Sequence, residues 1–122
     1  MNNIENAKIT SVSISMEDHG CLTFMLTLKG NGWGCGYGGY VIGCGFLGAD
    51  KDDFSADSGL GLVAMMRIMD TVGVSKWEDL KGRYCRVQYE GLGGSIKIIG
   101  NLIKDKWFNI DEFFKSNQIG GD

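Results

Sequence analysis

From residue 30 the chain reads Gly30-Asn31-Gly32-Trp33-Gly34-Cys35-Gly36-Tyr37-Gly38-Gly39-Tyr40, with glycine at every second position as far as 38. A period of two belongs to an extended strand, in which successive side chains point to opposite faces. One face of this strand is bare backbone. The other carries Asn31, Trp33, Cys35 and Tyr37. Interior glycines weaken a strand, and they mark bulges, bends or places where a ligand or another backbone comes close. Glycine is also the outlier of the whole chain, 20 of 122 residues, where average usage gives about 8 or 9. Proline is absent, so glycine has to supply the turn chemistry.

The remaining composition is that of a globular chain, 43% hydrophobic and 22% charged. Its length is that of one domain with a core of its own, placed here over residues 1–115, with 116–122 as a flexible polar tail. A net charge of −3 is too small for a nucleic-acid mimic and has the wrong sign for a polymer binder. The first ten residues, MNNIENAKIT, lack the pattern of a secretory signal, and the longest apolar run, Leu60–Met66, is far too short to span a membrane. A cytoplasmic protein with no membrane partner is the expectation. Cys21, Cys35, Cys44 and Cys85 form no CxxC pair, and in a reducing compartment they read as free thiols acting as small hydrophobes.

Alternation organises the first half. Thr10, Val12, Ile14 and Met16 form one face of a strand over 8–16, and Leu22, Phe24, Leu26 and Leu28 form a cleaner one over 21–29. Glu17-Asp18-His19-Gly20 reads as the hairpin turn between them. Gly30-Asn31-Gly32 turns the chain into the glycine strand, which runs to about Phe46 and completes a three-strand meander. The acidic stretch 50–58 reads as a loop. A helix follows, with Ser58 as cap, Leu62, Met65, Met66, Met69 and Val72 at helical spacing, and Gly73 at its end. Ser75-Lys76-Trp77-Glu78 has the form of a capping box for a second short helix that Gly82 closes. A strand over 83–90, a glycine turn at 91–94, its partner over 95–103 and a short helix over 109–115 complete the chain. The expected fold is α+β, with about five antiparallel strands packed on one main helix.

Catalysis finds little to work with. His19 is the one histidine and sits in a turn between acids, so it carries no Ser–His or Cys–His arrangement. Asp50, Asp52, Asp53 and Asp57 do not follow the order of a calcium loop, and a solvated acidic loop is the simpler reading. The glycine run is followed by strand and not helix, and no GK[ST] occurs, so neither phosphate-loop pattern is met. No catalytic residue, metal or cofactor is expected. What remains is aromatic surface and scarce arginine. Trp33, Tyr37 and Tyr40 have rings able to stack on a planar ligand, Arg67 and Arg86 are suited to phosphate, and Asn31 with glycine backbone can fix orientation. For Arg67, inside an otherwise apolar helix, an intrahelical pair with Asp70 is the plainer explanation. For the glycines, close packing of a bulky side chain or of the helix is the plainer one.

The segments NAKITSVSISMEDHGCLTFMLTLKGNGWGCGYGGY, MRIMDTVGVSKWEDLKGRYCRV and IGNLIKDKWF together resemble a family of small accessory proteins encoded by phages and prophages. Such proteins are frequently counter-defence factors. Some are sponges that bind a cyclic-nucleotide immune signal without cleaving it, and others inhibit a defence enzyme by contact. The resemblance implies a non-enzymatic protein that sequesters a small nucleotide-like ligand. The alternative is a protein-binding inhibitor or phage assembly component. The nearly all-round apolar helix adds the expectation of a homo-oligomer.

Overall fold

The computed structural model describes residues 2–18, 20–45, 54–56, 59–90 and 96–117. Its strands are β1 (Asn2–Asp18), β2 (Cys21–Gly30), β3 (Trp33–Gly45), β4 (Phe54–Ala56), β5 (Tyr84–Glu90), β6 (Ile98–Gly100) and β7 (Trp107–Asn109). The helices are α1 (Leu60–Val72) and α2 (Ile110–Ser116), with a single 3-10 turn over Trp77–Leu80. All seven strands join one antiparallel sheet in the order β4-β3-β2-β1-β5-β6-β7. The fold is α+β, as expected, and the β1–β2–β3 meander is present. The count of five strands needs correction. Part of the stretch read as an acidic loop forms β4, and Trp107-Phe108 pairs with β6 instead of merely leading into α2. The 95–103 strand shrinks to three residues. His19, the 91–94 turn and residues 118–122 lie outside the described residues.

Among four register shifts in the meander, two set the face of the residues that matter most here. Ile9 pairs with Leu28 and Ser11 with Thr27, so Thr10 is an extra residue on β1, and its hydroxyl donates to the Thr27 carbonyl at 3.3 Å. An extra residue reverses the in–out phase. Ala7 and Ile9 therefore face the core ahead of the bulge, and Val12 packs against the core after it. Farther along the expected apolar face, Ile14 and Met16 remain exposed. On β3 the second bulge falls where Gly38 and Gly39 take φ of 116° and 85°. It turns Tyr40 to the same side as Tyr37. Gly20, Gly73 and Gly82 also have positive φ, at the turns where glycine was expected.

The core lies on one face of the sheet. Phe24, Leu26 and Leu28 of β2, Cys85 and Val87 of β5, Ile99 and Phe108 meet Ala64, Met65 and Ile68 of α1. Tyr37 shows how strongly the sheet curls round this core. In sheet order β3 and β7 are five strand steps apart, about 24 Å in a flat sheet. Yet the Tyr37 hydroxyl donates to the carbonyls of Phe108, in β7, and Lys97, at 3.1 and 3.0 Å.

Local expectations for the helices need adjusting. The face of α1 turned inward is Gly61, Ala64, Met65, Ile68 and Val72, while Leu62, Val63 and Met66 are exposed. Small residues win the inward positions because α1 lies close on β3. A Cβ at Gly61 would stand 2.7 Å from the Val41 carbonyl oxygen. Gly59, and not Ser58, is the N-cap residue, and it offers no side-chain cap. The capping box does not form either. The 3-10 turn starts at Lys76 without a side-chain cap bond, and Trp77 turns edge-on to Phe24, with centroids 6.0 Å apart. Cys35 and Cys85 are free, but Cys21 is disulfide-bonded, which overturns the expectation of free thiols throughout; Cys44 stands opposite it in the β2–β3 register. Burial pushes the Cys85 thiol up to about 12.

Candidate functional site

The glycine strand turns its aromatic face inward and its bare face to solvent. Gly34 and Gly36 are exposed, whereas Trp33 and Cys35 are half-buried and Tyr37 is 1% exposed. This corrects the view of Trp33, Tyr37 and Tyr40 as a surface for stacking a ligand. Tyr37 is a core residue, and burial raises its phenol far above the ordinary range. Tyr40 is already stacked on Phe114, with centroids 3.8 Å apart and planes at 8°, and its hydroxyl reaches Asp111. Trp33 lies over Gly30, where a Cβ would stand 2.2 Å from the indole, and its Nε1 donates to the Glu5 carboxylate at 3.0 Å. The Tyr89 hydroxyl donates to the same carboxylate. Those two donors, Tyr89 foremost, hold Glu5 below its ordinary range.

Arg86 is also structural. Its Nε and one terminal nitrogen donate to the carbonyls of Asn101 and Lys104 at 2.7 and 2.9 Å, and its guanidinium sits 4.5 Å from the centroid of Trp107. Asn31 is exposed in the two-residue turn between Gly30 and Trp33, and it lines a different pocket from Arg67. The six residues singled out from sequence are not brought together.

Of the six, Arg67 borders a large cleft formed by described residues. The guanidinium is 5.4 Å from the Phe108 ring centroid, and no carboxylate among the described residues lies within ion-pair distance. Asp70, its expected partner, pairs instead with Lys106 at 3.1 Å. The cleft, of about 530 Å³, is lined by Arg67 with the aromatic Trp107, Phe108 and Phe113, the amides Gln88, Asn109 and Asn117, and the carboxylate of Glu112. Asn109 caps α2, accepting from the Glu112 backbone N–H at 2.9 Å, which fixes this wall. Sequence reasoning reached Arg67 through its odd place in an apolar helix. It missed the aromatic wall because Trp107, Phe108 and Phe113 come from the short β7–α2 segment, whose placement depends on its pairing with β6.

A smaller pocket of about 280 Å³ lies on the outer sheet face, lined by Asn6, Lys8, Thr10, Lys29, Asn31 and Tyr84 among others. No group of three or more metal-ligating side chains occurs among the described residues, and no described helix is long and apolar enough to cross a membrane. Compared with known proteins, the chain matches no family model, no curated protein and no solved structure.

Proposed function

We propose that this chain is a non-enzymatic binding protein that sequesters a small phosphorylated ligand in the Arg67 cleft, in line with its resemblance to small phage-encoded accessory proteins, some of which are sponges of nucleotide signals. The observation that carries this reading is Arg67 itself, an exposed guanidinium held at an aromatic wall with no carboxylate partner among the described residues. A guanidinium presents paired donors that match phosphate oxygens. Phe113 and Trp107 offer apolar ring surface to a base, and the Glu112 carboxylate suits an amino edge while repelling phosphate. The two charges together would orient a nucleotide with its phosphate at Arg67. Calorimetric titration against cyclic di- and trinucleotides and cyclic ADP-ribose species tests this, with the ligand recovered intact afterwards. Arg67→Gln should weaken binding by about tenfold or more. The absence of heat with every member of the panel would overturn the reading.

A second reading has its own observation. Leu62, Val63 and Met66 are 51%, 41% and 60% exposed on α1, beside Arg67 in sequence. Such residues suit a contact with a host enzyme or a second copy of the chain. Mass photometry of the purified protein, with a pull-down from host lysate, favours this alternative if a stable protein partner appears and no small molecule binds.

A further inference from the structure

The outer face of the sheet, away from α1, carries a cationic pair that no carboxylate among the described residues neutralises. Lys8 on β1 and Lys29 on β2 are directly opposite in register, and both are exposed. On the other side of β1, Tyr84 of β5 is opposite Lys8. The row therefore reads Lys29, Lys8, Tyr84 across three strands. The Lys8 ammonium is 5.8 Å from the Tyr84 ring centroid, and Tyr84 remains 54% exposed. Neither ammonium has a carboxylate or another hydrogen-bond acceptor among the described residues. Asn6, Thr10 and Asn31 complete the walls of the pocket around the two stems.

Like charges directly opposite in an antiparallel pair are destabilising. The usual remedy is a cross-strand acid, and the neighbours here supply none: Asn6, Thr10 and Asn31 are neutral, and Glu5 belongs to the core-facing set with Trp33 and Tyr89. A doubly charged phosphate between the ammoniums reverses the sign of the interaction. Each lysine then gains a charge-assisted bond, and the side-chain amides of Asn6 and Asn31 add donors. The exposed ring of Tyr84 lies where a flat group joined to that phosphate would rest.

We propose that Lys8, Lys29 and Tyr84 form a binding site for a phosphate monoester bearing a flat ring, in a pocket that shares no lining residue with the Arg67 cleft. The chemistry shared by every candidate ligand is the phosphate dianion, and two probes separate its sources: inorganic phosphate, and adenosine 5′-monophosphate. Both are titrated into the whole chain at low and at physiological salt, with heat and the ³¹P resonance as readouts. Both should bind saturably, the monophosphate about tenfold more tightly through stacking on Tyr84. Lys8→Gln with Lys29→Gln should abolish binding of both probes. Tyr84→Leu should bring the monophosphate down to the affinity of inorganic phosphate.

A second readout needs no titration. Phosphate should raise the thermal midpoint of the wild type and leave that of Lys29→Gln unmoved. No saturable binding of either probe, or binding that survives the double lysine change, overturns the site. Equal affinity for the two probes overturns the ring-bearing ligand. Loss of monophosphate binding on Arg67→Gln with the lysine variant unaffected overturns this site and supports the cleft.

Discussion

Two tryptophans lie over glycines toward opposite edges of the sheet, and the pairs are built alike but used differently. Trp33 faces Gly30 across the β2–β3 hairpin, and Trp107 faces Gly100 across β6–β7. In each, a Cβ on the glycine would meet the indole at 2.2 or 2.3 Å. Trp33 sits on the core side and ties its Nε1 to Glu5 on β1, where the Tyr89 hydroxyl from β5 also ends, so one carboxylate joins three strands. Trp107 donates to Asp105 in its own approach loop at 2.8 Å, and its ring receives Arg86, which is opposite Gly100 in the β5–β6 register. The first pair fastens the meander to the rest of the sheet. The second builds a cross-strand row in which glycine leaves the space where arginine and tryptophan meet. In both places glycine is a landing site for a ring, and a glycine-rich strand by itself is therefore weak evidence for a ligand.

Gly100→Ala should separate the two ends most sharply. Gly100 is buried, and the added methyl would push the Trp107 indole off both Gly100 and Arg86. A loss of about 3 kcal/mol is expected by urea denaturation, the upper end for overpacking. Next comes the link between the two ends. Tyr37→Phe leaves the carbonyls of Lys97 and Phe108 without their shared donor, at about 2 kcal/mol. Gly30→Ala should cost less, about 1 kcal/mol, since Gly30 is half-exposed and the Trp33 indole can swing toward solvent. Equal costs at Gly30 and Gly100 would show that the two pairs are energetically interchangeable.

The smallest effect is one of pH. Glu5 has its folded pKa lowered from an ordinary 4.5, first by the Tyr89 hydroxyl and then by the Trp33 indole. The unfolded chain therefore binds this proton more readily. The stabilisation is complete above the unfolded value and disappears as pH falls through the lowered folded value. Thermal midpoints measured downward from pH 5 should fall less steeply in Glu5→Gln than in the wild type. Identical acid limbs would remove Glu5 from the account.

Much of the framework was legible where a local rule acts without help. Strict alternation fixed the inward face of β2, Gly30-Asn31-Gly32 marked the turn into β3, and glycines 20, 73 and 82 took the left-handed turns asked of them. Legibility failed where a rule had a competitor. The pattern Ser75-Lys76-Trp77-Glu78 satisfied the capping motif, but burial of Trp77 against Phe24 accompanies a 3-10 turn instead. The stripe read on α1 followed residue size. The actual one follows proximity to β3, where Gly61 and Ala64 fit and Leu62 and Met66 do not. Asp70 was offered as the partner of Arg67 by spacing, and a lysine from the loop before β7 took it.

The sequence by itself determined that the glycine run forms a strand with one bare face and one aromatic face, since a period of two has no other regular reading; the strand begins at Trp33, after the Asn31-Gly32 turn. It also determined that a meander, a helix and a return to strand follow in that order. Only the tertiary structure decided which face of the glycine strand is inside. The choice depends on where α1 and the curled far edge of the sheet bring apolar surface, and on bulges at Thr10 and at Gly38-Gly39, each of which reverses the phase of the side chains that follow as far as the next register shift. The same phase places Lys8 against Lys29 on the outer face and leaves Arg67 at the aromatic cleft. One inserted residue changes the face of those that follow until the next shift, and such an insertion carries no local signature strong enough to outweigh the burial it serves.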